Sequence, residues 1–163
     1  MNAVDNFVAP GLKPVYGFSE AFSPKTIRLN GSRDVSKSAE HVSSSDSELL
    51  ESALKRKEGL FANVFPCRGF HKNDAFVALA AERGHAFEIP FSYFLRCNGY
   101  KRAALFYRAR KFVGKLVKRR VEYRLTSHAR DESELRSPRD LIAFGVCLGL
   151  SEEQARNALR ELK

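Results

Sequence analysis

The sequence predicts a mainly α-helical fold: a small helical domain over residues 47–163, with room for one short β element, behind a flexible N-terminal arm of residues 1–46. Apolar residues recur at spacings of three and four in several stretches, each bracketed by cap residues. The first 46 residues lack that period and carry Pro10, Pro14, Pro24 and the serine run 43–45. With 163 residues, 44% of them hydrophobic, the chain suits one domain with a real core.

From Ser45 the pattern is helical: Leu49, Leu50, Ala53 and Leu54 share a face, and Gly59 is the stop. The short apolar run from Leu60 to Phe65 ends at Pro66. A second helix is expected from Asn73 or Asp74 to Arg83, closed by Gly84. His85 to Leu95 is rich in β-formers but broken by Pro90, which reads as an extended segment or short strand. After a Cys97-Asn98-Gly99 turn, Tyr100 to Arg120 fits a long helix. Leu105, Ala109, Phe112, Val113, Leu116 and Val117 are its apolar stripe. Val121 to Leu125 alternates as a strand does. Ser137, Pro138 and Asp140 open another helix, and Ser151 with Gln154 forms the capping box of the last.

Several function classes recede on these grounds. No apolar run reaches the roughly 18 residues of a membrane span, and no secretory leader is read at the N-terminus. Cys67, Cys97 and Cys147 are an odd set at unrelated spacings, which points to free thiols in a reducing compartment, the cytoplasm or a nucleus. Cys67, His71, His85 and Cys97 are spaced as no common zinc motif is, so a buried thiol and two surface imidazoles are expected, with no metal. No nucleophile elbow or phosphate-binding glycine loop appears. The expectation is a non-enzymatic protein with no cofactor and no catalytic residues.

Charge is the strongest signal. The chain has 28 Lys and Arg against 19 Asp and Glu, for a net +9. Residues 96–124 hold eleven basic groups and only Glu122 in opposition, so the excess lies in this block. Ordinary solvated faces mix both signs; this one scarcely does, and a concentrated field attracts polyanions. Arg96, Lys101, Arg102, Arg108, Arg110, Lys111, Lys115, Lys118, Arg119 and Arg120 are the candidate phosphate contacts, with Tyr100 and Tyr107 as candidate stacking residues. The predicted function is nucleic-acid binding, to RNA or DNA, in a regulatory or accessory role. The alternative is a protein–protein adaptor or inhibitor that docks its basic face on an acidic partner.

Residues 143–163, with an apolar helix, a Leu148-Gly149-Leu150-Ser151 turn and a second amphipathic helix, resemble a helix-turn-helix. In that family the second helix reads the major groove. The resemblance implies Gln154, Arg156, Asn157 and Arg160 as base-reading residues. A plain helical hairpin (residues 137–163) that completes the core is the competing reading of the same pattern.

Overall fold

A computed structural model of the chain describes residues 4–5, 20–21, 26–31, 34 and 41–160. Two short strands, β1 (Val4–Asp5) and β2 (Glu20–Ala21), pair in parallel. The main sheet contains β3 (Thr26–Arg28), β4 (His41–Ser43), β5 (Phe61–Asn63), β6 (Ala86–Pro90) and β7 (Glu122–Thr126), in that spatial order. Helix α1 (Ser47–Arg56) connects β4 to β5, and α2 (Asp74–Arg83) connects β5 to β6. Helices α3 (Ser92–Leu95) and α4 (Gly99–Arg119) lie between β6 and β7; α5 (Pro138–Cys147) and α6 (Glu152–Asn157) follow.

The fold is therefore α/β, which corrects the mainly α expectation. The helices α1, α2, α4, α5 and α6 fall where their spacing and caps place them, but α1, α2 and α4 lie between successive strands of a sheet, and α3 (Ser92–Leu95) stands where extended chain was expected. Three-residue strands offer too little sequence for alternation to register. All five residues of β6 and all three of β5 are buried. A strand covered on both faces reads as a short apolar run and gives no period-two signal. Strands β3 and β4 fall inside residues 1–46, the segment read as an arm; most of that segment lies outside the described residues.

The described residues cluster into two compact units, one drawn from 25–88 and 111–123, the other from 1–24, 89–110 and 124–163. In the first, β4, β5 and β6 run parallel with His41 opposite Phe61 and Phe61 opposite Ala86. Side chains alternate across the sheet, so one face carries His41, Phe61 and Glu88 and the other Val42, Ala62 and Phe87. On the first face His41 Nε2 lies 3.1 Å from Glu88 Oε2, and both side chains are fully buried. On the second, Phe87 and Phe70 meet Phe112 edge-to-face at 5.2 and 5.5 Å.

His85 fixes the joint between α1 and β5. Its Nδ1 accepts the Leu60 N–H at 3.0 Å, so the proton sits on Nε2, which donates to the Leu54 carbonyl at 2.9 Å. Gly84, at φ 67°, makes the left-handed turn that delivers His85 there. His85 and His71 are both buried, which corrects the expectation of two surface imidazoles. Cys67 is buried as expected, and its Sγ donates to the Ser44 carbonyl at 3.0 Å. Burial, with the Asp46 carboxylate second, pushes its thiol up to about 12.

In the other unit Phe94 and Phe144 meet edge-to-face at 4.8 Å, and Phe91 and Phe106 complete the cluster. Capping boxes at Ser137–Asp140 and Ser151–Gln154 open α5 and α6, which pack on each other. Gly145 makes that packing feasible. A Cβ there would lie 2.7 Å from Leu125 Cδ1 and 2.9 Å from Ala155 Cβ. Leu148, Leu150, Ala155, Ala158 and Leu159 are buried along the same seam.

Two outcomes follow from this packing. Gly145→Ala should destabilise the protein by about 1–3 kcal/mol, as overpacking of a tight seam does, seen as a lower urea midpoint at unchanged slope. The second concerns pH. Burial, reinforced by the Arg83 charge, holds the His85 imidazole below its ordinary value, against the Leu54 hydrogen bond. Its folded form thus resists the proton that the unfolded chain takes up near pH 6.5. The stability it contributes is present above that pH and is lost as pH falls below it. Urea unfolding at pH 7.5 and 5.5 should show a smaller loss for His85→Gln than for the parent.

Candidate nucleic-acid interface

Helix α4 is where the basic block becomes a surface. Ala109, Phe112, Val113 and Leu116 are buried along one side, as the stripe of threes and fours requires. At 100° per residue the opposite line runs through Tyr100, Tyr107, Lys111, Gly114 and Lys118, all of them exposed. Tyr100 is 87% exposed and Tyr107 58%, so these rings do not belong to the core of the chain. Lys101, Arg108 and Arg119 flank that line on one side and Arg110 on the other, again exposed. The helix contains no acidic residue at all.

Both ends are fixed by backbone bonds. At the start, Arg102 donates its amide to the Asn98 carbonyl and its Nε to the Cys97 carbonyl at 2.7 Å. At the end, the Arg120 and Val121 amides return to the Val117 and Leu116 carbonyls. Arg120 takes the left-handed conformation, φ 56°, that glycine usually occupies at a helix stop. Lys118 and Arg119 in the last turn also oppose the negative end of the helix dipole.

The basic residues are not equivalent. Lys115 Nζ sits 2.5 Å from Asp74 Oδ1 at the first turn of α2, and that bond holds the Asp74 carboxyl below the usual carboxylate range. Arg96 lies outside α4 and grips Glu134 with two bonds, Nε to Oε1 at 2.7 Å and Nη2 to Oε2 at 2.5 Å. Lys101, Arg102, Arg108, Arg110, Lys111, Lys118, Arg119 and Arg120 are exposed.

The proposed base-reading residues sit differently. Gln154 Oε1 accepts the Ser151 amide at 2.9 Å as part of its capping box, and Arg156 pairs with Glu152 one turn back. Asn157 is half-buried, and Arg160 is exposed beyond the end of α6. Helix α6 is only six residues long, and Ala155, Ala158 and Leu159 turn its inner face into the core.

Two features escaped the sequence reading. The His41–Glu88 pair joins residues 47 positions apart, and no local spacing announces it. An apolar recess of about 380 Å³, lined by Phe91, Phe106, Phe144 and Cys147 with Arg136 and Asp140 on its wall, also went unseen. Among the described residues no group of three or more His, Cys, Asp or Glu could hold a metal ion, and no helix is long and apolar enough to cross a membrane.

Residues 61–163, which include all of α4, match the family model for RNase P subunit p30. Ribonuclease P protein component 3 of Thermococcus gammatolerans is 30% identical over 138 residues, 83% of this chain and 64% of that protein. Its counterpart in Thermococcus kodakarensis is 31% identical over 140 residues, 83% of this chain and 62% of that protein. The one in Archaeoglobus fulgidus is 37% identical over 82 residues, half of this chain and 41% of that protein. The chain thus spans less than two thirds of the length of these relatives. A chain in a cryo-EM structure of archaeal ribonuclease P with mature tRNA superposes with a TM-score of 0.72 at 17% identity, over 88% of this chain and 66% of that one. That likeness is one of fold, α/β with a five-stranded sheet. These matches overturn the helix-turn-helix. The segment that suggested it, 143–163, lies within the matched family region, where α5 and α6 form a hairpin sealed against Leu125.

Proposed function

The chain belongs to the RNase P subunit p30 family, and from that premise we propose that it is an RNA-binding, non-catalytic protein component of a ribonuclease P complex that acts on tRNA. The observation that carries this reading is the acid-free, exposed line of α4, with cations on both flanks. Cations at that density neutralise phosphates and release counterions. Tyr100 and Tyr107 add faces on which unpaired bases stack. Membership in an RNase P family favours RNA as the polyanion and leaves the regulatory, DNA-reading role without support.

The non-catalytic part of the proposal rests on how the reactive side chains are used. His41 and Glu88 hold each other out of solvent, His85 brackets two backbone groups, and the Cys67 thiol is held protonated. Each is committed to the fold. The free cysteines suit a reducing compartment such as the cytoplasm.

The decisive experiment reverses charge on the ridge. Lys111, Lys118 and Arg119 are the residues of choice, because Glu at position 115 would face Asp74 and disturb α2. The triple change to Glu should keep the parent's circular dichroism and melting temperature. It should lower affinity for a labelled tRNA by roughly 100-fold at moderate salt and flatten the slope of log affinity against log salt. Parent-like RNA binding by this variant would defeat the proposal. Tyr100→Ala should weaken binding to single-stranded RNA by about 1–3 kcal/mol and leave the salt slope unchanged.

A further inference from the structure

Gly114 stands in the middle of α4, with helical residues on both sides. Glycine is among the costliest residues in a helix interior, and nothing among the described residues requires it here. Its φ is not in the left-handed region, and a Cβ built on it would meet no atom within 4 Å. The position is exposed, so no neighbouring element presses against it. Neither backbone conformation nor internal packing accounts for the missing side chain.

Its surroundings suggest what does. Lys111 and Lys118 lie on the same line of the helix, three residues before and four after, about 10.5 Å apart along the axis. Between them the surface is bare main chain. Lys115, on the adjoining side of the helix, is bonded to Asp74 of α2. A narrow polyanion could lie across the gap at the depth of the helix backbone, with an ammonium group on either side.

We infer that the sugar–phosphate backbone of an RNA crosses α4 over Gly114, in direct contact with the helix main chain and clasped between Lys111 and Lys118. This rests on the RNA-binding reading above and adds to it the point and depth of contact. A docked protein helix would also welcome a glycine. It would, however, have to desolvate two lysines on the same line, whereas phosphates meet them as counterions.

The test separates shape from charge. Gly114→Ala and Gly114→Gln remove no charge and improve helix propensity, so each should raise the melting temperature of the full chain by about 2–4 °C. Both should nonetheless bind a fluorescent RNA hairpin more weakly, about fivefold for Ala and more than tenfold for Gln, with the salt slope of the parent. Lys118→Gln should lower the slope by about 0.7–0.9. If the parent and the lysine variant behave so while both glycine variants bind RNA as the parent does, the inference falls and the RNA-binding reading stands. A parent that fails to bind the hairpin at low salt removes both.

Discussion

His41 and Glu88 occupy one face of the sheet two strands apart, with β5 between them, and neither is exposed to solvent. Burying polar side chains is unfavourable unless they are hydrogen-bonded, and the bond between these two satisfies part of that need. The arrangement constrains everything built around it. A one-residue slip of β4 or β6 would turn an ionisable side chain towards the face where Phe87 meets Phe112. The alternative registers of three very short strands are thereby penalised far more than backbone hydrogen bonds alone would penalise them.

Several charges are paired within the chain: Arg96 with Glu134, Lys115 with Asp74, Arg156 with Glu152. Others stand exposed on the outer line of α4, a helix with no acid on it. Net charge alone would not distinguish these roles. The ion pair of Lys115 ties the first turn of α2 to the same helix that displays Lys111 and Lys118, so this exposed surface is held by a framework of its own. The cost of presenting like charges side by side is met by the apolar stripe beneath, where Phe112, Val113 and Leu116 are buried.

Local signals were legible in the sequence and long-range ones were not. Asn73 and Gly84 bound α2, Ser137 and Ser151 open α5 and α6, and four of the six stripe residues of α4, Ala109, Phe112, Val113 and Leu116, are buried, with Leu105 and Val117 half-buried. Each rests on chemistry within a few residues. The β-rich run after His85 was read as extended chain to Leu95, but only Ala86–Pro90 is strand and Ser92–Leu95 turns into α3; β7 was visible as an alternating strand. Their membership in one parallel sheet was not, because pairing Phe61 with Ala86 depends on a crossover and leaves no trace in either short segment. The cationic helix was legible from composition. That Arg96 and Lys115 would be drawn into ion pairs was not, since Glu134 and Asp74 lie 38 and 41 residues away.

The strand order of the sheet follows the order of the chain without interruption. Each new strand therefore finds its partner already laid down immediately before it. Closing the loop from His41 to Phe61 and then from Phe61 to Ala86 carries nearly the same entropic penalty, because that penalty grows only slowly with length. Assembly can advance like a zipper, one crossover at a time, with no strand waiting for a distant mate. The His41–Glu88 bond is the exception, since it skips a strand and needs three of them in place. It acts as a latch that ties the two outer strands of the three directly to each other.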